Sequence, residues 1–197
     1  VGIRMAELID PNSFNKRLHQ VSDIKDCYIK GVLNGPEIDR EMVFKKYSRF
    51  AETLKPFVRN TTTFLAESIQ QNKRILFEGA QGELPDAGRG SLPYTTWSTC
   101  TFDNALDLLS EWGGQAVRLG VIRSYLTRHG AGPFPTEDAE LRPPEPHNAW
   151  GPWQEGFRRG WLDLSLLRYA VEACGGVDGL AVTHLDCCAG RDWRIGT

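Results

Sequence analysis

Apolar positions recur at helical intervals through the first third of the chain and then shift to short unbroken runs between glycines. Phe14, Leu18 and Val21 fall at helical spacing behind Asp10-Pro11-Asn12-Ser13, where Asp10 can cap and Pro11 suits a first turn. Asn34-Gly-Pro-Glu37 predicts the start of a second helix, with Ile38, Met42, Tyr47, Phe50, Leu54 and Phe57 as its apolar stripe and Pro56 marking its end. Asn60 is placed to cap a third, carrying Phe64, Leu65 and Ile69. Such stripes read as core or helix–helix packing. Before them, Gly2 to Asp10 reads as a linker running into a short turn.

The pattern changes at Ile75. Ile75 to Phe77 is a short apolar run bounded by turn residues and predicts a buried strand entering a glycine-rich turn. Gly79 and Gly82 permit close backbone approach or positive φ, and Glu78 and Gln81 stand where open α/β sheets put ligands. Gly88-Arg-Gly-Ser-Leu-Pro-Tyr-Thr-Thr96 supplies backbone N–H groups, hydroxyls and a guanidinium, the donors a phosphate needs. An ordinary strand and turn of an α/β domain accounts equally well for the same residues. Phe102 to Trp112 predicts a helix ended by Gly113-Gly114. Ala116 to Thr127 predicts one buried strand that delivers Arg128-His-Gly-Ala-Gly-Pro-Phe-Pro, and glycines beside prolines there predict a shaped loop. Glu137 to Gly160 is broken by prolines and is the least regular stretch. Leu162 to Ala173 predicts a helix ended by Gly175-Gly176, and Gly179 to His184 a strand ending in Leu185-Asp186.

Composition narrows the classes. Among 197 residues, 23 basic side chains meet 25 acidic ones, so neither a polyanion nor a membrane surface is implied as partner. No apolar run is long enough to span a bilayer, and Val1 opens no signal peptide. Five cysteines without CxxC spacing read as reduced thiols, and four scattered histidines give no zinc motif. No Gly-x-x-x-x-Gly-Lys-Ser/Thr phosphate loop occurs.

Phe77-Glu-Gly-Ala-Gln-Gly82, followed by an Asp-x-x-x-Gly-x-x-Pro-Tyr-x-Thr arrangement from Asp86, resembles the adenylosuccinate synthetase family. Tyr125-Leu-Thr-Arg-His-Gly-Ala-Gly-Pro-Phe-Pro-Thr-Glu137, Gly160-Trp-Leu-Asp-Leu164 with Leu166-Leu-Arg-Tyr-Ala170, and Gly179-Leu-Ala-Val-Thr-His-Leu-Asp186 agree, in family order and across nearly all of the chain. The resemblance implies a three-layer α/β fold, a mainly parallel sheet flanked by helices and incomplete at its edges. Residues 1–197 are then a single α/β domain segment, with a helical insertion at about 11–72 and a sheet-and-loop ligand-binding part at about 73–197. It implies a ligase of purine nucleotide biosynthesis that joins aspartate to inosinate with GTP and Mg²⁺, in the cytoplasm and as a homodimer, without nucleic acid or membrane.

Carried over residue by residue, Arg4, Gln81 and Thr96 approach the nucleoside monophosphate, and His129 stands against its sugar. His184, Leu185 and Asp186 face the guanine of GTP, whose N1–H and amino group match two carboxylate oxygens. Family members are longer at both ends and carry the phosphate loop and catalytic Asp upstream. The catalytic groups and Mg²⁺ ligands are therefore expected outside this chain, and the isolated chain is expected to be inactive. Several positions depart from the family. Trp97 interrupts the phosphate-side run, His129 replaces a small apolar residue, Ala87-Gly-Arg-Gly90 replaces an Asp-His-Gly, and His184 replaces a lysine. The Thr-Thr-Gly-Arg-Arg loop that holds the aspartate carboxylate is missing; Trp153-Gln-Glu-Gly-Phe-Arg-Arg159 is nearest, with Arg158 as the carboxylate or guanine-side ligand. A short loop of this kind resembles archaeal and phage branches, some of whose members use deoxyguanylate. A changed purine substrate and a non-catalytic nucleotide-binding remnant are the alternatives.

Overall fold

The computed structural model describes residues 2–113, 115–190 and 192–197, and the chain divides into two compact units, Val1–Asn72 and Lys73–Thr197.

The first unit is helical: α1 (Met5–Leu8), α2 (Pro11–Gly31), α3 (Arg40–Leu54) and α4 (Thr61–Gln70). Asp10 caps α2 by accepting the Ser13 N–H at 2.8 Å, and Asn60 caps α4 by accepting that of Thr63 at 3.1 Å. Phe14 and Leu18 are buried, and Phe14 stacks on Phe44 of α3 at 5.2 Å. The buried face of α2 then turns polar at Ser22 and Asp26. The Asp26 carboxylate accepts the Ile38 N–H and an Arg40 N–H, which ties α2 to the entry of α3. The second helix does not start at Asn34-Gly-Pro-Glu37. Asn34 is left-handed (φ 51°), and the cap is Asp39, which accepts the Met42 N–H at 2.9 Å. Nor is the expected stripe the buried one. Ala51 is buried and Phe44 half-buried, while Met42, Tyr47, Phe50 and Phe57 are exposed. Their three-to-five spacing drifts off one face, because a helix returns every 3.6 residues.

The second unit is α/β. Its strands are β1 (Leu119–Arg123), β2 (Tyr125–His129), β3 (Phe157–Asp163), β4 (Gly179–Thr183) and β5 (Ile195–Gly196), with helices α5 (Asp103–Ser110) and α6 (Leu164–Ala173). Strands β1 and β4 pair in parallel, β2 and β3 antiparallel, and β3 and β5 in parallel. Tyr125, Leu141 and Cys187 form a buried cluster, with Trp161 and Trp193 packed on it. Asp163 ends β3 and caps α6 through the Leu166 N–H at 3.0 Å. The exit of α6 has Gly175 and Gly176 at positive φ, with the Gly176 N–H on the Val171 carbonyl at 2.8 Å, as a glycine stop requires.

Ile75–Phe77 is not a strand: the segment is irregular, and Leu76 is 88% exposed. A strand exists only against a partner, and no described strand pairs with it. Ala116–Thr127 is not one strand but two, broken at the buried Ser124 and shared between two sheets. Strand β3 begins at Phe157, inside the stretch read as least regular; its alternation is hidden by the adjacent Arg158 and Arg159. The predicted α5 is confined to Asp103–Ser110; of its expected stop, Gly113 has φ 63°, and Gly114 lies outside the described residues.

Candidate nucleotide-binding site

The loop after Gly82 is built around one carboxylate. Asp86 is buried, and it accepts backbone N–H groups from Gly88 (2.8 Å), Arg89 (3.0 Å) and Cys100 (2.7 Å). The Cys100 N–H, aided by the other two, holds the carboxyl below its ordinary range against the upward push of burial. The loop is drawn tighter by the Thr96 N–H on the Pro85 carbonyl at 2.7 Å. Gly90 closes the turn: a Cβ there would lie 2.5 Å from the Leu84 carbonyl oxygen and 2.6 Å from that of Asp86. Gln81 enters the loop with φ 68°, and its Oε1 accepts from the Cys100 thiol at 3.6 Å. Beside it, both Glu83 carboxylate oxygens are buried without a hydrogen-bond partner among the described residues. Burial, then the nearby Asp86 charge, raises the Glu83 pKa.

A second loop, Gly130–Gly132, is held by two arginines from facing positions of β2 and β3. Arg158 Nη1 donates to the Gly130 and Gly132 carbonyls, both at 2.9 Å, and Arg128 Nε donates to that of Ala131 at 2.9 Å. Arg128 Nη2 reaches on to the Tyr94 carbonyl at 3.2 Å and so connects the two loops. Arg158 closes its fork on Glu137 through Nε (2.9 Å) and Nη2 (2.5 Å). That ion pair holds Glu137 low, while burial and then the facing Arg158 charge draw Arg128 below its usual value. Gly132 sits at φ 114°, and a Cβ there would be 2.1 Å from Arg128 Nη2. Gly130, Ala131, Gly132, Glu155, Gly156 and Arg158 line an open cleft of about 350 Å³.

The third component is the turn after β4. Ser124, between β1 and β2, donates its N–H to the Thr183 carbonyl (2.9 Å) and its hydroxyl to the His184 carbonyl (2.7 Å). His184 adopts φ 59°, its Nδ1 lies 2.9 Å from Thr183 Oγ1, and its ring meets the Tyr125 ring edge-on at 5.8 Å. The chain then enters a 3-10 turn, Leu185–Cys188, with Leu185 and Asp186 exposed and Cys187 buried.

A family model described as adenylosuccinate synthetase matches residues 1–193. The chain belongs to the adenylosuccinate synthetase family. Among curated relatives, the adenylosuccinate synthetase of Clostridium perfringens is 35% identical, covering 97% of this chain and 45% of its own length. That of Desulforamulus reducens is 37% identical, covering 96% and 45%. The fully ligated adenylosuccinate synthetase structure from Plasmodium falciparum aligns at a TM-score of 0.78 and 28% identity, over 96% of this chain and 45% of that one. The chain thus spans about 45% of the length of these relatives. The α/β fold and its mainly parallel sheet follow from this match.

The positions carried over from the adenylosuccinate synthetase family fall in five places. Gln81 and Thr96 share the Asp86 loop, Thr96 half-buried and Gln81 exposed. His129 is exposed at the end of β2, its ring 5.0 Å from that of Phe157. His184, Leu185 and Asp186 form the turn after β4. Arg4 belongs to the first unit, is exposed, and donates its backbone N–H to Glu7 at 2.7 Å. Arg158 lines the cleft, but four guanidinium hydrogen bonds are already directed into the protein, leaving one Nη2 hydrogen for a ligand. Sequence reasoning missed Arg128, which joins the two loops, and Glu137, which engages Arg158. Their signal was the charge alternation of Arg128 and Arg158 at matched places in two strands, hidden while β3 went unrecognised. Among the described residues no three His, Cys, Asp or Glu side chains gather as a metal site would require. Magnesium, which the resemblance implies, is assigned no ligand here.

Proposed function

We propose that this chain forms the nucleotide-binding portion of an adenylosuccinate synthetase, which joins aspartate to inosinate at the expense of GTP. The family match over residues 1–193 carries this reading. In that reaction GTP phosphorylates the purine 6-oxygen and the aspartate amine displaces the phosphate, so positioning and charge stabilisation do most of the catalytic work. Thr96 and Gln81 bind the monophosphate from the Asp86 loop. His129 lies against the sugar. Asp186 accepts the guanine N1–H and amino group, with His184 and Leu185 bracketing the base. Arg158 shapes the Gly130–Gly132 loop for the substrate and has a single hydrogen to offer a carboxylate directly. The magnesium ligands, the base and the phosphate loop are supplied by residues other than these. The protein acts in the cytoplasm as a homodimer; no described helix is long and apolar enough to cross a membrane.

A second reading is a family member that takes another purine monophosphate such as deoxyguanylate. Two departures favour it: Trp97 is fully exposed in the phosphate-side run, and His129 forms an aromatic pair with Phe157. Calorimetry of the 197-residue chain against inosinate and deoxyguanylate separates the two. Preference for inosinate supports the first, preference for deoxyguanylate the second. Binding of neither contradicts the nucleotide-binding reading. Succinyl-purine formed by the chain alone from GTP and aspartate contradicts its having a binding role without turnover.

A further inference from the structure

The turn that carries Asp186 is held in a backbone conformation that a histidine seldom adopts. A non-glycine residue at positive φ is costly and persists only where its surroundings over-determine it. The surroundings here do so. The His184 carbonyl accepts from Ser124 Oγ (2.7 Å) and from the Cys187 N–H (3.1 Å), and the ring is fixed by Thr183 and Tyr125. Tyr125 is wholly buried and touches the turn twice, at the His184 ring and through the packed Cys187. Tyr125 is in turn anchored from below. Its hydroxyl donates to Glu145 Oε1, the Arg123 guanidinium pairs with the same oxygen, and Asn148 Nδ2 donates to Oε2 at 2.6 Å. The Glu145 side chain is only 6% exposed, so its charge is satisfied inside the protein. Burial would push this carboxyl upward; Tyr125, Asn148 and Arg123 outweigh it and hold it low. On the other side of Tyr125, Trp193 packs edge-on at 6.1 Å and donates Nε1–H to the Ser124 carbonyl at 2.9 Å.

We infer that Glu145 and Tyr125 are positioning residues for nucleotide-base selection: acting through His184 and Cys187, they hold the Leu185–Asp186 turn in the shape that reads guanine. This rests on the proposal that Asp186 accepts the guanine edge. Glu145 comes from the proline-broken stretch before β3. A hydrogen bond to a charged, buried acceptor is among the stronger kinds, so its loss should be felt locally.

The test has two arms. In the first, amide hydrogen exchange of the 197-residue chain is compared with that of Glu145→Gln and Tyr125→Phe, which keep shape and ring. The inference expects exchange at the Cys187 and Ala189 amides, which close the turn, to rise about tenfold, with amides within α6 unchanged. No change at Cys187 and Ala189, or an equal rise everywhere, overturns it. In the second, preference for a fluorescent GTP analogue over the ATP analogue is measured for the chain, the same two variants and Asp186→Asn. Asp186→Asn should abolish the preference, and Glu145→Gln should cut it about threefold, while thermal unfolding stays cooperative. If Asp186→Asn changes nothing, or the unaltered chain shows no preference, the guanine reading falls and base selection by this turn falls with it. If Asp186→Asn acts and Glu145→Gln does not, only the inference about Glu145 falls.

Discussion

Arg128 and Arg158 stand directly opposite each other on β2 and β3, two like charges at one cross-strand position. Such a pair is unfavourable unless both charges are engaged elsewhere. Here both turn onto one loop and occupy the carbonyls of Gly130, Ala131 and Gly132 in succession. Arg158 gains a carboxylate, Glu137; Arg128 gains the Tyr94 carbonyl and the face of its ring at 6.0 Å. The cleft loop is thereby tied to the Asp86 loop through side chains rather than through a sheet.

Replacing Arg158 with Lys keeps the charge and loses the fork. A lysine cannot span Glu137 and two carbonyls together. Arg158→Lys and Glu137→Gln are expected to destabilise the second unit by about 1 kcal/mol each, a modest figure because both side chains are partly solvated. In a double-mutant cycle they are expected to be non-additive. Urea unfolding of the two variants and the double variant checks this; full additivity would mean that the pair does not act as one unit.

The same pair sets an acid response. Glu137 is held below its ordinary value by Arg158, so its contribution is present above the unfolded-state value of about 4.5 and is lost as pH falls through the lower folded-state value. Asp86 behaves alike through the Cys100 N–H. Stability is therefore expected to fall as acid passes below the ordinary carboxylate range. Thermal unfolding between pH 6 and pH 3 should show the fall, and Glu137→Gln should flatten part of it.

Glu83 responds in the opposite direction. Burial raises its pKa, so the folded state holds a proton that the unfolded state releases first. Stability is lost as pH rises above the unfolded-state value of 4.5 and levels off above the folded-state one. Glu83→Gln is expected to stabilise the chain at neutral pH by about 1 kcal/mol and to have no effect in acid. Paired unfolding curves at pH 7 and pH 4 read the difference.

Asp86→Asn leaves a carboxamide facing three N–H donors, and its NH₂ group cannot accept. The loop is expected to lose about 2 kcal/mol of local stability, seen as faster exchange of the Gly88, Arg89 and Cys100 amides. Gly90→Ala should act on the same loop by collision, since the added Cβ meets backbone oxygen on two sides. If both variants bind inosinate like the unaltered chain, the loop is not part of the site.

Local signals in the sequence were reliable where the cause was local. Asp10 and Asn60 cap the helices they were expected to cap, and Gly175-Gly176 stops α6, because each depends on residues within one turn. Long-range causes were not legible. Ile75–Phe77 has the composition of a strand and lacks a paired neighbour among the described residues. Ser124 splits one apolar run because its hydroxyl and carbonyl are claimed by His184 and Trp193, 60 and 69 residues away. Arg158 reads as a free ligand until Glu137 is found beside it. The family motifs offered Gln81, Thr96, His129 and Asp186 as candidates but gave no notice of Tyr125 and Glu145 beneath the turn.

We propose above that the Asp86 loop and the end of β2 bind a purine nucleoside monophosphate. Titrating inosinate into the ¹⁵N-labelled 197-residue chain and following its amide signals tests it most directly. Saturable shifts are expected at Gln81, Thr96 and His129, with α2 unaffected. Shifts spread evenly over the surface, or none up to millimolar inosinate and deoxyguanylate, would contradict it.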